Sequence, residues 1–115
     1  MNTDRELLEA AAKAAGIKAL RCPNGVLRDC TGLDPAMNIF SAPEWNPLTS
    51  DGDALRLAVK LNIRIRPMPG FGDDCVLCSA DHKNAWAQEP FANDPLAATR
   101  RAIVRAAAEI GRSKE

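Results

Sequence analysis

One local pattern occurs twice in this chain. Each copy has an amphipathic helical segment, a residue that ends the helix, an Ile-led run typical of a strand, and a turn rich in Pro and Gly. The first copy covers residues 7–25 and the second covers residues 54–70. An extended run that ends in such a turn is typical of a hairpin. The repetition therefore predicts two hairpins and their helices in one small fold.

The composition limits the size and class of the protein. At 115 residues, the chain is expected to form a single domain over residues 1–115. Lys plus Arg and Asp plus Glu both number 15, so the net charge provides no general attraction to nucleic acid or to an anionic membrane. Charged residues interrupt every long apolar stretch, and residues 1–6 lack the apolar core of a signal sequence. We therefore expect a cytoplasmic protein without membrane contact, whose cysteines are thiols.

Capping patterns predict three helices. A Ser, Thr or Asp side chain before a helix accepts a hydrogen bond from an otherwise unpaired N–H group. Gly or Asn after a helix tolerates the left-handed conformation that often ends it. The expected helices span residues 3–15, 50–61 and 94–110, with Thr3, Ser50 and Asp94 at their starts and Gly16, Asn62 and Gly111 at their ends.

The apolar periodicity of the helices predicts which residues form the core. Apolar residues cover more than half of the circumference of the second helix, which is therefore expected to be the most buried of the three. Leu55 and Val59 of that helix are expected in the core. Leu96 and Ile103 are expected on the apolar face of the third helix, so Ile103 joins the same core.

Two hairpins define the expected sheet. Asn24–Gly25 is favoured in a two-residue turn, because both positions of that turn need positive φ, and it would join strands at residues 17–21 and 26–30. Residues 63–66 alternate Ile with Arg, as a strand with one buried face does, and should pair with residues 75–78. The predicted class is α+β, with three helices packed on a mainly antiparallel sheet of about four strands. Its order is helix-hairpin-helix-hairpin-helix.

Three passages resemble a family of short proteins encoded by phages and prophages of Gram-negative bacteria. They are DRELLEAAAKAAGI at residues 4–17, WNPLTSDGDALRLAVKL at residues 45–61 and DPLAATRRAIVRAAAEIGR at residues 94–112. The arrangement is similar to the phage ABA sandwich domain, in which a Trp-x-Pro-type segment opens the middle helix and an Arg-bearing, Ala-rich helix closes the chain. The resemblance implies that fold and a phage context. It implies no catalytic residue.

The cysteines offer one candidate metal site. Cys75, Cys78 and His82 have a spacing seen in zinc sites, and Cys22 or Cys30 could complete four ligands. However, the two residues between the first pair of thiols are apolar and typical of a strand, whose period sends the two cysteines to opposite faces. Buried structural cysteines are therefore the favoured interpretation, and we predict no metal or other cofactor.

The arginines of the third helix offer a candidate nucleic-acid surface. Arg101, Arg105 and Arg112 are expected to form a basic stripe on the side of the helix that faces water, and Arg64 and Arg66 could extend it. An ordinary solvated helix face has the same composition. Aromatic residues are too sparse to indicate base stacking, so nucleic-acid binding is disfavoured.

Trp45 and Trp86 are the remaining candidates for an interaction surface. Both lie beside Pro-containing loops, where an indole ring either seals the edge of a core or anchors a partner. With one His, no oxyanion motif and no phosphate-binding loop, the sequence predicts no enzyme. We predict a phage or prophage accessory protein that contacts an unknown host or phage protein in the host cytoplasm, with homo-oligomerisation left open. The alternative is a small nucleic-acid-binding or zinc-stabilised regulatory protein.

Overall fold

The computed structural model describes residues 3–68, 74–80, 84–92 and 94–113, which form three α-helices and five strands. The helices are α1 (Asp4–Ala15), α2 (Asp51–Leu61) and α3 (Pro95–Ser113). The strands are β1 (Ala19–Arg21), β2 (Leu27–Asp29), β3 (Arg64–Met68), β4 (Cys75–Ala80) and β5 (Ala85–Pro90). The α+β class and antiparallel pairing are confirmed. The single four-stranded sheet and the helix-hairpin-helix-hairpin-helix order are wrong, because the strands form one two-stranded and one three-stranded sheet.

The helix starts and two of the helix ends follow the predicted caps. The Thr3 and Ser50 hydroxyl oxygens each accept a hydrogen bond at 3.2 Å from the backbone N–H three residues later. The Asp94 carboxylate accepts one in the same way at 3.0 Å. Gly16 and Asn62 end α1 and α2 in the left-handed conformation, with φ of 70° and 55°. These boundaries depend on hydrogen bonds between close neighbours in the chain, which a sequence displays directly.

The first hairpin has a longer loop than predicted. The Cys22 N–H donates to the Val26 carbonyl oxygen, and the Gly25 N–H donates to the Cys22 carbonyl oxygen, both at 2.8 Å. Gly25 has a φ of 89°, whereas Asn24 is not among the described residues with positive φ. The two-residue Asn-Gly turn is therefore wrong. Pro23 favours a turn that begins one residue before it, which leaves the left-handed position to Gly25 alone.

The smaller sheet gains a short third segment. Residues 43–45 run antiparallel to β2. The Trp45 N–H donates to the Leu27 carbonyl oxygen, and the Asp29 N–H donates to the Pro43 carbonyl oxygen, both at 2.9 Å. This backbone pairing holds the segment before α2 against the first hairpin.

The larger sheet contains β3, β4 and β5 in that order, and β5 is absent from the sequence-based prediction. Ala85 and Ala87 occupy the buried positions of β5. Because Ala is depleted in strands, this alternation does not indicate one. The predicted pairing of β3 with β4 is confirmed. The predicted buried face of β3 is wrong, because β3 lies at the sheet edge with all of its residues exposed, Ile65 included.

The second helix is not the most buried one. Leu55 and Val59 are 59% and 69% exposed, so their predicted place in the core is wrong. Ala54, Leu57 and Ala58 form the buried side of α2. This helix packs against α3 and α1 along one side only, and its apolar residues cover a wider arc than that contact.

The third helix is the central element of the fold. It packs against α1, α2, β4 and β5 and has more buried positions than α1 or α2. Ile103 lies in the core as predicted, but Leu96 is 62% exposed because it lies in the first turn of the helix. Although α3 has 19 residues, no helix among the described residues is long and apolar enough to cross a bilayer.

Gly111 lies inside α3 and does not end it. A Cβ atom placed on Gly111 would overlap the carbonyl oxygen of Ala10 and would lie 2.9 Å from the carbonyl carbon of that residue. The backbones of α1 and α3 therefore approach each other closely at this point. The predicted helix end is wrong because this glycine provides space for a neighbouring helix, while Ser113 is the last residue of α3.

Leu57→Ala is expected to lower the free energy of unfolding by about 2–4 kcal/mol, because Leu57 is only 2% exposed and truncation leaves a cavity. Leu55→Ala on the same helix is the matched control, with an expected change within about 0.5 kcal/mol. Urea unfolding of both variants measures the difference. Equal losses would contradict the observed orientation of α2.

Gly111→Ala is expected to destabilise the protein by about 1–3 kcal/mol or more, because the added methyl group must push the α1 and α3 backbones apart. Gly52→Ala in α2 is the control, since its Cβ would contact only the flexible guanidinium group of Arg56, at 3.3 Å. That variant should be neutral or more stable by up to about 1 kcal/mol. Thermal unfolding compares the two, and an unchanged Tm for Gly111→Ala would refute the close approach.

Candidate functional site

The structure separates the cysteines of the predicted metal site. Cys78 lies on the buried face of β4, and Cys75 lies on the opposite face of the same strand. This alternation is the one predicted from the sequence. Cys22 and Cys30 are buried in the region of the first hairpin, and His82 lies outside the described residues. No group of three metal-binding side chains occurs within residues 3–68, 74–80, 84–92 and 94–113.

The two thiols of β4 differ in chemical character. Burial raises the pKa of the Cys78 thiol to about 12, because the apolar surroundings disfavour the thiolate. Cys75 is partly exposed, and its Sγ atom accepts a hydrogen bond from the Gln88 side-chain amide at 3.2 Å. Cys75 is therefore the more accessible thiol of the pair, and Cys78 is a core residue.

Trp45 is a core residue and not an interaction surface. It is 5% exposed and belongs to the main hydrophobic cluster. Its backbone pairs with β2, as described above, which places the indole ring under the first hairpin and the start of α2. The sequence left open whether Trp45 seals the edge of a core or anchors a partner, and its burial supports the first interpretation.

The three arginines of α3 that were predicted to form a basic stripe each pair with a carboxylate of the chain. Arg101 pairs with Asp4 of α1 at 3.1 Å, and Arg112 pairs with Glu109 of its own helix at 2.6 Å. Arg105 pairs with Glu89 of β5. All three side chains are partly buried. Each of the three guanidinium groups therefore has a carboxylate partner within the chain, and each side chain stays partly exposed.

Trp86 lies on the side of the larger sheet that α3 does not cover. In the sheet register, Arg64 lies opposite Ser79, and Ser79 lies opposite Trp86. Directly opposed residues in antiparallel strands point to the same face. We call this side of the sheet the open face. Its residues are Arg64, Arg66 and Met68 of β3, Cys75, Leu77 and Ser79 of β4, and Trp86, Gln88 and Pro90 of β5.

The open face contains a broad groove. Trp86, which is 61% exposed, stands at one side of this groove, and Arg64 and Arg66 stand at the other. Leu77 and Ser79 of the central strand lie between them. The groove has a volume of about 600 Å³, compared with about 310 and 440 Å³ for two hollows beside Trp45. The groove is shallow and open to solvent over much of its area.

Among its described residues, the open face has two guanidinium groups and no carboxylate. The described arginines elsewhere all pair with a carboxylate of the chain. They are Arg5, Arg21, Arg28, Arg56, Arg100, Arg101, Arg105 and Arg112.

Arg64 and Arg66 do not extend the surface of the α3 arginines. The α3 helix packs on the opposite face of the sheet, against β4 and β5. Arg105 contacts Glu89 at that covered side, since Glu89 alternates with the open-face residue Gln88. The sequence named the residues of the open face that matter most, Trp86 and the two arginines of β3, but it did not place them together. The strand β5, which brings Trp86 into the sheet, was not predicted from the sequence.

Comparisons with known proteins identify no relative. No protein-family model, no curated protein and no solved structure matches this chain. The similarity to the phage ABA sandwich domain therefore stays a prediction.

Iodoacetamide at pH 8.5 is expected to modify Cys75 of the native protein well before Cys78. With a pKa raised to about 12, Cys78 has a thiolate fraction below about one in a thousand at this pH, and the thiolate is the reactive form. Mass spectrometry of the digested protein locates the label. Modification in urea should reach both cysteines, and the Cys75→Ser variant should lose the early product. Equally fast modification of native Cys78 would contradict its burial.

Proposed function

We propose that this protein is a non-enzymatic accessory protein that acts through protein–protein contact, with the open face as its contact surface. The phage or prophage context and the host cytoplasm enter this proposal from the sequence resemblance and the composition. The observation that carries the contact surface is Trp86. A large indole ring that is 61% exposed, on a sheet face without a covering helix, gains buried area when a partner covers it.

The composition of the open face supports a protein partner. Trp and Arg are the residue types most enriched among those that dominate binding energy at protein interfaces. The open face combines Trp86 with Arg64 and Arg66 around the apolar Leu77. This mixture of an aromatic anchor, apolar floor and charged rim is typical of the centre of a protein interface.

A nucleic-acid partner is less well supported by the same residues. Two arginine contacts with single-stranded phosphates would give a salt dependence with a slope of about −1.4 in log K against log salt. Contact with two phosphates leaves the dissociation constant at the weak end of the non-specific range, at about 10⁻⁴ M. The chain as a whole is neutral and adds no long-range attraction.

The side chains of the open face also favour binding over catalysis. Ser79 and Cys75 are its potential nucleophiles. A hydroxyl or thiol needs a neighbouring base to become reactive. The described residues of this face include no imidazole and no carboxylate that could act as one. A contact surface is therefore the use that these residues support best.

Trp86→Ala is expected to reduce the capture of a partner at least about ten-fold when the tagged protein is incubated with a lysate of the host, because an exposed aromatic anchor contributes much of the interface energy. Leu96→Ala is the control, since Leu96 is equally exposed at 62% but lies at the start of α3. Quantitative mass spectrometry compares the captured proteins. A partner captured equally by wild type and Trp86→Ala, and lost with Leu96→Ala, would contradict the proposal.

A further inference from the structure

We infer that Asn24–Gly25, in the loop of the first hairpin, is a spontaneous modification site, at which solvent water converts the Asn24 side-chain amide into a carboxylate through a cyclic imide. The site lies in the smaller sheet, so it is independent of the open face and of the proposed contact function. Its chemistry requires only the chain and water.

The dipeptide supplies the two groups that react. Among the asparagines of this chain, Asn24 alone is followed by glycine. The backbone nitrogen that follows an asparagine attacks the side-chain carbonyl carbon, and glycine has no side chain that obstructs this approach. Asn24 and Gly25 are both exposed, and a Cβ atom placed on Gly25 would meet nothing within 4 Å. Water therefore reaches the reacting atoms.

The folded loop holds the side chain of Asn24 in a reactive position. The Val26 N–H donates a hydrogen bond to Asn24 Oδ1 at 3.1 Å. This contact is an Asx-turn, and it folds the side-chain amide forward over the peptide bond to Gly25. The oxygen that accepts this hydrogen bond also gains negative charge when the carbonyl carbon is attacked. A donor aimed at that oxygen stabilises the charge, as the donors of an oxyanion hole do.

One hydrogen bond of the loop opposes the reaction. The Gly25 N–H donates to the Cys22 carbonyl oxygen at 2.8 Å, and this bond must open before the nitrogen attacks. The net contribution of a typical hydrogen bond corresponds to a factor of about two to ten in an equilibrium constant. The native loop is therefore expected to slow the reaction by no more than about ten-fold relative to the unfolded chain.

The conversion takes place in two steps. In the first step, hydroxide removes the proton of the Gly25 nitrogen, this nitrogen bonds to Asn24 Cγ, and the bond from Cγ to the side-chain nitrogen breaks. Ammonia leaves with a proton from water, and a cyclic imide remains. In the second step, water adds to one of the two imide carbonyl carbons, and the bond from that carbon to the nitrogen breaks. Opening at Cγ gives aspartate, and opening at the backbone carbonyl carbon gives isoaspartate.

The isoaspartate product changes the first hairpin. Its main chain runs through the former side chain, so the loop of residues 23–25 gains one methylene group. The hydrogen bond from the Cys22 N–H to the Val26 carbonyl oxygen closes this loop at 2.8 Å and depends on the native loop length. The segment that contains the buried Trp45 pairs with β2 of the same hairpin. We therefore expect isoaspartate to loosen the smaller sheet, whereas aspartate keeps the native backbone.

Mass spectrometry of folded protein incubated at pH 8.5 tests this inference. The protein is expected to gain acidic species with a carboxylate at position 24. Isoelectric focusing separates them, because one negative charge is added to a chain whose acidic and basic residues balance. Asn38 is the internal control, since it is also exposed and accepts a hydrogen bond of the same type, from the Phe40 N–H at 2.9 Å. The Ile39 side chain obstructs the nitrogen that would attack, so Asn38 should remain an amide while Asn24 reacts.

Two variants test the site and its consequence. Asn24→Ser removes the reacting amide and keeps an oxygen that accepts a hydrogen bond from Val26, so the early acidic species should be absent. Asn24→Asp has the charge of the product on the native backbone. The isoaspartate form, isolated by ion exchange, is expected to have a lower Tm than Asn24→Asp. Incubation in urea gives the reaction rate of the unfolded chain.

Several outcomes would contradict this assignment. A reaction at Asn24 that is more than about ten-fold slower in the folded protein than in urea would show that the fold protects the site, and would overturn the inference. So would equal reaction at Asn24 and Asn38, or an acidic species that forms as fast in Asn24→Ser. Equal Tm values for the isoaspartate form and Asn24→Asp would overturn the expected loosening of the hairpin. None of these results changes the expected capture of a partner through Trp86.

Discussion

The close contact between α1 and α3 is the interaction on which the rest of this structure depends. At Gly111, the α3 backbone lies directly against the Ala10 carbonyl group of α1, and only a residue without a Cβ atom fits there. Ala-rich faces on both helices maintain the approach along their length. One side of α3 packs closely against α1. Another side of α3 packs against β4 and β5 of the larger sheet. The fold is therefore layered around α3, and its core is continuous from α1 to the sheet.

This layering also explains why one face of the larger sheet is bare. Small residues, Ala85 and Ala87 among them, line the sheet face that receives α3, which allows the helix to lie close to the strands. No described helix packs on the opposite face. A sheet covered on one side normally places polar residues on the other. The uncovered side follows this rule with Arg64, Arg66 and Gln88, and it also presents the exposed indole ring of Trp86.

Ion pairs of the arginines link elements of the fold and affect where charge lies on the surface. Surface pairs of this kind contribute little to stability individually, so their main consequence is for the distribution of charge. Arg101 of α3 pairs with Asp4, the first residue of α1, and Arg105 of α3 pairs with Glu89 of β5. Arg64 and Arg66 lie on the open face, where no described residue is acidic and where the aromatic ring of Trp86 also lies.

Features that depend on neighbours within a few residues could be predicted from the sequence. The caps at Thr3, Ser50 and Asp94 and the left-handed residues after α1 and α2 were predictable because their hydrogen bonds span only three or four positions. The alternation that separates Cys75 from Cys78 was predictable for a similar reason. Tertiary structure alone decided that Leu55 and Val59 are exposed, that Gly111 is a contact point, and that Trp45 is buried while Trp86 is not. It also decided that Trp86 shares a face with the arginines of β3 and not with those of α3. These outcomes depend on which surfaces meet across the fold, and periodicity along one segment does not contain that information.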